Sequence, residues 1–365
     1  MRRFRLLALL LGCVVGLLIV EGLLHTFDWK PTALRTKRQL YDYADPSVYY
    51  ECYPSNPDGE FREFGDLGGG TWFLKSIGIP PEQLALSRLA ETPYCVEYRK
   101  SLQNIRDRYY GPGTPGLTRI VGIGDSFAYG EGVPLDASLY KQVEGLLGPR
   151  YEVVNAAVPG ADTEREIEDL EAACRILDAS RAIVTYVLND IAAEEDLASR
   201  QRYINDLILV RDEELDEHRR GSWTSRMPRF VQLLTSRLEL RRIERETIEW
   251  YHDLYDEQHN PYGLRTLAEQ FHRLAGQDRC RVALVIYPLL ERAGGTYPFH
   301  AAHETVSRLA RDAGLPVLDL APRFADSDPR DLRVHPGDHH PNRAAHGIAA
   351  AAIVEWLEAE VPGFL

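Results

Sequence analysis

Ser126 lies at a position where a serine could act as a nucleophile. It follows an apolar run, Ile120–Ile123, which predicts a short strand buried on both faces, and a Gly-Asp turn ends that strand. Open α/β sheets place their active sites at this carboxyl edge. A serine hydroxyl needs a base to take its proton and a third group to orient that base. The loop before the last predicted helix offers both, because it contains Asp338, His339 and His340.

Other interpretations of these motifs compete with a nucleophilic serine. A dinucleotide-binding fingerprint that begins at Gly122 and Gly124 would need a third glycine where the chain has Phe127. A phosphate-binding loop that ends in Lys-Ser/Thr does not occur in the sequence. His335 and His339, with the adjacent Asp and His, could supply metal ligands, but no helical spacing aligns them and no second acidic or cysteine cluster completes a site. We therefore expect no cofactor and no metal, and the remaining alternative for the serine is a structural turn.

The tetrapeptide Gly-Asp-Ser-Phe at 124–127 resembles the first block of the SGNH/GDSL hydrolase family, in which the serine is the nucleophile. The sequence Asp-His-His-Pro-Asn at 338–342 resembles the Asp/His block of that family. The resemblance implies that Ser126 is the nucleophile, that His340, which immediately precedes Pro-Asn, is the base, and that Asp338 orients it. Many family members separate these last two residues by three positions, whereas this chain separates them by two. The resemblance covers about residues 119–361, except for an insertion.

The same resemblance implies three donors for the oxyanion that forms during acyl transfer. They are the backbone amides of Ser126 and Gly160 and the side-chain amide of Asn189. The family usually carries Gly-x-Asn-Asp in the block that contains the asparagine, and this chain has Val187 in place of the glycine. The implied fold is the flavodoxin-like, three-layer α/β/α SGNH hydrolase fold with a parallel sheet.

The order of strands and helices also favours an α/β fold. Apolar runs of strand length alternate with helices, which indicates a parallel sheet covered on both faces. One helix carries Ile167, Leu170, Cys174 and Leu177 on a single face, so Cys174 is interpreted as a core residue. Residues 191–275 interrupt the alternation with a charged helical insertion, which could be a lid or a packing element. We assign residues 119–365 to an SGNH hydrolase-like domain that contains this insertion.

Residues 1–28 have the character of a signal anchor. Three arginines precede an uninterrupted apolar run from Leu6 to Val20, and we expect an uncleaved helix that holds the protein in a membrane with its body outside the cytoplasm, in the periplasm or beyond the cell. Residues 29–118 are rich in Tyr, Pro and Gly and predict short strands and loops packed on the main domain. In an exported chain Cys52 and Cys95 are candidates for a disulfide, and two buried thiols are the alternative.

Composition limits the class of partner. The formal net charge of -13 argues against nucleic acid, because phosphate binding draws on clustered Lys and Arg. The resemblance to the SGNH/GDSL family implies an acyl-ester substrate instead, such as a cell-surface glycan or lipid ester. Water as the acceptor would make the protein an esterase, and a glycan hydroxyl would make it an O-acyl(acetyl)transferase. The alternative from another class is a non-catalytic surface module with a binding or assembly role; the acyl group, the acceptor, the oligomeric state and protein partners stay open.

Overall fold

The computed structural model describes residues 2–27, 38–41, 45–53, 95–113, 116–202, 227–290, 297–335 and 338–365, and the structural statements below concern these residues. Helix α1 (Arg2–Thr26) is apolar along most of its length. The stretch Phe4–Thr26 reaches a mean hydropathy of 2.6 and is not buried inside the protein. This length and composition suit a membrane span, and a signal sequence at an N-terminus has the same character.

A five-stranded parallel sheet forms the centre of the fold. Its strands are β4 (Thr118–Gly124), β5 (Tyr151–Asn155), β6 (Arg181–Tyr186), β7 (Arg281–Ile286) and β8 (Val317–Asp319). They lie in the order β5-β4-β6-β7-β8. The strand at which the order reverses is β4, so the crevice at its carboxyl end is the topological switch point of the sheet. Side chains of the inner strands are buried on both faces, as expected when helices cover a parallel sheet on both sides.

Helices cover both faces of this sheet, which confirms the expected three-layer α/β/α architecture. The helices after α1 are α2 (Ser126–Tyr129), α3 (Leu139–Leu147), α4 (Thr163–Ile176), α5 (Arg229–Leu254), α6 (Pro261–Ala275), α7 (His300–Asp312) and α8 (Arg343–Glu360). One layer contains α3 packed against α8, and the other contains α4, α6 and α7. The apolar stripe predicted for α4 is confirmed, because Ile167, Leu170 and Cys174 are all buried.

The region predicted as an insertion contains a helical segment at 195–202 and the helices α5 and α6. The C-terminal half of α5 packs on the core, where the Trp250 indole donates a hydrogen bond to the Leu197 carbonyl oxygen. Its first turn instead meets α1, because the Glu21 carboxylate accepts hydrogen bonds from the backbone N–H groups of Arg229 (2.8 Å) and Phe230 (3.0 Å). Helix α6 packs beside α4 and α7 as a sheet-covering helix. Residues 203–226, which the insertion also includes, lie outside the described residues.

A second, smaller sheet precedes the main domain. Its three antiparallel strands are β1 (Arg38–Tyr41), β2 (Val48–Cys52) and β3 (Cys95–Arg99). The predicted pair Cys52 and Cys95 forms a disulfide between β2 and β3. Cys174 is buried as predicted, but it is also bonded to Cys280 in a second disulfide that the sequence analysis did not anticipate. Most of the 29–118 region, including 54–94, lies outside the described residues.

A short antiparallel hairpin brings the chain back to the carboxyl edge of the main sheet. It consists of β9 (Arg333–His335) and β10 (Asp338–Pro341). Helix α8 begins directly after it, and Asn342 caps that helix by accepting hydrogen bonds from the N–H groups of Ala344 and Ala345. The hairpin therefore places its residues at the carboxyl edge of the sheet, directly before a capped helix.

Candidate active site

Ser126 occupies the first position of α2, immediately beyond the end of β4. Gly124 makes the sharp turn possible: its φ is +153°, and an added Cβ would lie 2.6 Å from the Cβ of Ala128. Asp125 caps α2, because its carboxylate accepts a hydrogen bond of 2.8 Å from the Phe127 N–H. Phe127 and its neighbours in α2 are buried, whereas Ser126 is half-buried. The turn thus presents the serine hydroxyl at the switch point of the sheet.

The hairpin places His340 and Asp338 beside Ser126. The Nδ1 atom of His340 lies 2.5 Å from Oδ1 of Asp338, and its Nε2 atom lies 2.9 Å from the Ser126 hydroxyl oxygen. A carboxylate can only accept, so Nδ1 carries the proton and Nε2 is left to accept from the serine hydroxyl. The backbone N–H of His340 also donates to Oδ1 of Asp338, at 3.0 Å. The two-residue spacing on one strand thus gives this carboxylate a ring donor and a backbone donor.

A second carboxylate, which the sequence analysis did not single out, lies at the same imidazole. Oε2 of Glu131 is 3.2 Å from Nε2 of His340, and the Glu131 side chain is only 11% exposed. Glu131 stands five positions after Ser126, inside the stretch that drew attention to the serine. Its position in that loop was visible, but nothing in the local pattern separated it from a solvated surface acid.

The two other residues assigned to the oxyanion site lie on neighbouring loops at the same edge. The Asn189 side-chain amide donates a hydrogen bond of 3.3 Å to Oδ2 of Asp125, and Asn189 is exposed. Gly160 is exposed too, and its φ of +74° lies in the left-handed region that favours glycine. Its loop runs along the end of β4, where the Val158 N–H donates to the Gly124 carbonyl oxygen at 2.9 Å. Val187, which replaces the glycine of the family pattern, is fully buried.

Buried carboxyl groups lie behind this edge. Asp125, Glu166 and Asp190 are all almost completely buried. Burial raises the pKa of each carboxyl above its usual value, and the charges of the other two raise the pKa of Asp190 further. Oδ2 of Asp190 accepts a hydrogen bond from the Val187 N–H, which ties this group to the loop that carries Asn189.

The loop that follows α2 is held from the N-terminal side of the chain. The guanidinium of Arg106 is buried and donates to the carbonyl oxygens of Tyr129 (2.8 Å) and Gly130 (2.6 Å), and also to that of Val133. The same group lies over the ring of Tyr98, 4.2 Å from its centroid. Arg106 therefore fixes the backbone on both sides of Glu131.

The N-terminal sheet reaches the same loop and the hairpin. The Tyr98 hydroxyl accepts from the Gly132 N–H at 2.5 Å and donates to Oε2 of Glu51 at 2.6 Å. Tyr53, which follows the disulfide-bonded Cys52, lies beside Asp338: burial, then the nearby Tyr98 and Asp338, raise the pKa of its phenol well above the usual value. Tyr98 of β3 thus contacts the loop, and Tyr53, the residue after β2, lies beside the carboxylate that orients His340.

The described part of the chain contains no group of three or more His, Cys, Asp or Glu residues arranged to hold a metal ion. The histidines considered for that role have other surroundings. The His339 ring stacks on that of His340, with centroids 5.6 Å apart, and His335 lies against Tyr53, at 5.8 Å. The geometry of the hairpin is that of an oriented base.

Comparison with known proteins agrees with this geometry at the level of family. The model of the GDSL-like lipase/acylhydrolase family matches residues 123–348, which is more than half of the chain. A search among curated proteins finds no match.

Several solved structures are similar to the chain. The lipase/acylhydrolase from Enterococcus faecalis is 16% identical, with a TM-score of 0.39, over 66% of this chain and 96% of that one. A two-domain esterase active on acetylated mannans is 15% identical, with a TM-score of 0.39, over 66% of this chain and 48% of that one. The psychrotrophic esterase EstA from Pseudoalteromonas sp. is 11% identical, with a TM-score of 0.33, over 67% of this chain and 98% of that one. At these values the similarities carry no argument about substrate.

Proposed function

Because the chain belongs to the GDSL-like lipase/acylhydrolase family, we propose that it transfers an acyl group from an ester, with Ser126 as nucleophile, His340 as base and Asp338 as the orienting carboxylate. The observation that carries this proposal is the 2.9 Å contact between Nε2 of His340 and the Ser126 hydroxyl. A serine hydroxyl becomes a competent nucleophile when such a base takes its proton. The contact of Nδ1 with Asp338 supplies the tautomer that this step requires.

In the proposed reaction the O–H bond of Ser126 breaks as its proton moves to Nε2 of His340. The Ser126 oxygen forms a bond to the carbonyl carbon of the ester, and the oxyanion forms. Collapse of this intermediate expels the alcohol, which takes the proton from Nε2, and leaves the acyl group on Ser126. Water or another hydroxyl then gives its proton to Nε2 and attacks the acyl carbon. The bond between that carbon and the Ser126 oxygen breaks, and the serine oxygen takes the proton back from Nε2.

The backbone amides of Ser126 and Gly160 and the side-chain amide of Asn189 are the proposed donors to the oxyanion. The hydrogen bond from Asn189 to Asp125 supports this role, because it holds the amide at the residue that precedes Ser126. A donor aimed at the oxyanion lowers the barrier by about 3–4 kcal/mol. Loss of such a donor should therefore lower kcat and change KM little.

We further propose that the protein works outside the cytoplasm, anchored by α1, on a glycan or lipid ester, with water or a glycan hydroxyl as the acceptor. Two disulfides support this location, since disulfides persist in oxidising compartments. The apolar character of α1 is consistent with it. A non-catalytic binding module would have no need of three side chains in hydrogen-bonding sequence, and their geometry favours the enzyme.

The test is turnover of short acyl esters and a phospholipid ester by the full-length protein in detergent, with and without an oligosaccharide acceptor. We expect Ser126→Ala to abolish turnover and Asn189→Ala to lower kcat about 10²–10³-fold with little change in KM. Ser180→Ala, which changes an exposed serine, is the matched control and should behave as wild type. Wild-type protein that turns over none of these esters with either acceptor would exclude the enzyme and leave the binding module.

A further inference from the structure

Glu131 lies at the atom that receives the serine proton, and none of the roles described above uses it. We propose that Glu131 is a second catalytic carboxylate, which accepts a hydrogen bond from Nε2 of His340 while the imidazole is protonated. This role rests on the proposed function, because it concerns the same proton transfer. It leaves Asp338 at Nδ1 and adds a negative charge at the opposite ring nitrogen.

The position of the Glu131 carboxylate is set by its backbone. The Glu131 N–H donates to the Ser126 carbonyl oxygen at 3.1 Å, so the loop closes back onto the turn that carries the nucleophile. On either side, Arg106 binds three carbonyl oxygens and the Tyr98 hydroxyl receives the Gly132 N–H. A loop with this many fixed polar groups holds its side chain in one place.

Space around the loop also supports a fixed position. Gly132 has a φ of +85°, and an added Cβ would lie 2.6 Å from Val334 of the hairpin and 2.8 Å from the Tyr53 hydroxyl. Glycine thus lets the loop approach β9 closely. This approach brings the Glu131 carboxylate within 3.2 Å of Nε2 while both side chains stay largely buried.

The contact between Glu131 and His340 changes character during the reaction. In the resting state Nε2 has no proton, so its lone pair faces a carboxylate oxygen that also cannot donate. After Ser126 gives up its proton, Nε2–H faces the same oxygen and the pair becomes a charge-assisted hydrogen bond. The interaction is therefore stronger after proton transfer than before it, which is the condition for an effect on rate.

Several ionisable groups surround His340 besides Glu131. Asp338 and His339 belong to the hairpin, Asp125 belongs to the β4–α2 turn, and His346 belongs to α8. Replacing Glu131 with Gln keeps its size and removes one negative charge, while these other groups stay unchanged. The substitution consequently isolates the contribution of Glu131.

The experiment measures acylation by a fluorophosphonate over a range of reagent concentrations, in full-length wild type and the variants Glu131→Gln and Glu131→Asp. In Glu131→Gln we expect the maximal acylation rate to fall about tenfold or more while the reagent concentration at half-maximal rate changes little, since the lost interaction is stronger after proton transfer than before it. Glu131→Asp keeps the charge and should recover most of the wild-type rate.

Asp136→Asn is the matched control, because it removes an exposed carboxylate that pairs with Arg343 and should leave both the maximal rate and the half-maximal concentration unchanged. A second measurement needs no activity: the free energy of unfolding of each variant, from urea denaturation. Glu131→Gln should be as stable as wild type, because the contacts of Arg106 and Tyr98 that hold the loop stay in place.

The two measurements separate the possible failures. A slower Glu131→Gln that is also less stable, and that Glu131→Asp does not rescue, would show that Glu131 only supports the loop, and an unchanged variant would show that it has no role. Wild-type protein that does not react with the fluorophosphonate would refute the proposed function, whereas reactive wild type with an unchanged Glu131→Gln would refute only the role of Glu131.

Discussion

The parallel sheet is held together mainly by aliphatic side chains, whereas the N-terminal sheet is held by tyrosines and one arginine. Ala182, Ile183 and Val184 of the central strand β6 are completely buried. In the N-terminal region the rings of Tyr49 and Tyr98 stack, with centroids 4.6 Å apart, and the buried Arg106 lies over Tyr98.

This difference separates two tasks. Aliphatic burial is non-directional and stabilises in proportion to area, so it secures the sheet without fixing any single polar atom. Buried hydrogen bonds and ring contacts are directional, and leaving one unmade is costly. The N-terminal region therefore positions the active-site residues, because its directional polar contacts are made with the loop 129–133 and with Asp338. Changes there should affect rate and stability together, and changes in the core should affect stability alone.

The largest effect is expected for Arg106→Ala. Three backbone carbonyl groups lose their buried donor, and we expect the free energy of unfolding to fall by about 3–5 kcal/mol. Chemical denaturation measures this loss, and the acylation rate should drop as well, since the loop that carries Glu131 is released. Arg108→Ala removes a guanidinium that is 51% exposed and serves as the control, with a change below about 1 kcal/mol. An Arg106→Ala protein with wild-type acylation would contradict the positional role of this region.

The two disulfides allow a matched comparison. Removing either pair, as Cys52→Ala with Cys95→Ala or as Cys174→Ala with Cys280→Ala, should cost roughly 2–4 kcal/mol of unfolding free energy. Only the first pair lies in the N-terminal sheet, where Cys52 directly precedes Tyr53. Only its removal should therefore also slow acylation at temperatures where the protein is folded. Equal effects of both double variants on the acylation rate would remove the distinction between the two regions.

The next effect depends on pH and tests the main domain. His346 on α8 is completely buried, and burial lowers the pKa of its imidazole from 6.5 to about 3. Because the unfolded chain binds this proton and the folded protein does not, stability should be lost as the pH falls from 6.5 towards 3. At pH 5 the protonation of His346 in the unfolded chain should have lowered the unfolding free energy by about 2 kcal/mol.

His346→Leu should therefore flatten the fall in unfolding free energy between pH 8 and pH 5 by that amount. Urea denaturation of wild type and variant at both pH values is the measurement, and the difference between them removes the contribution of other titrating groups. Parallel curves for the two proteins would show that His346 is not held neutral.

The smallest effect is expected for Tyr49→Phe. The substitution removes one hydrogen bond, of 2.8 Å, between the hydroxyls of Tyr49 and Tyr129, and should cost about 1 kcal/mol while the ring stack survives. Thermal unfolding measures the change. Tyr109→Phe, at an exposed tyrosine, should leave the melting temperature where it is. A Tyr49→Phe protein as stable as wild type would mean that the rings alone hold this part of the sheet.

The main domain could be predicted from the sequence because its signals are local. Apolar runs such as Ile120–Ile123, each ended by turn residues, predict buried parallel strands, and the sheet confirms them. The motifs that contain Ser126 and His340 were recognisable for the same reason. The structure brings those two residues to hydrogen-bonding distance although 214 positions separate them.

What could not be predicted depends on tertiary contacts between distant segments. The partner of Cys174 lies 106 positions away, immediately before β7, and helical periodicity indicates only that Cys174 is buried. The carboxylate of Glu131 resembles any surface acid until the hairpin folds against it. The local sequence around Arg106 resembles that of a solvated loop. The side chain is buried because it binds three backbone carbonyl oxygens of a loop more than 20 positions away.

Every catalytic role proposed for this site requires that His340 activates Ser126. The measurement is peptide mapping by mass spectrometry after brief exposure of the full-length protein to a fluorophosphonate. We predict a single adduct on the peptide that contains Ser126, no adduct in Ser126→Ala, and labelling in His340→Ala that is slower by about two orders of magnitude or more. An adduct on another residue, or labelling that is as fast without His340 as with it, would contradict the account.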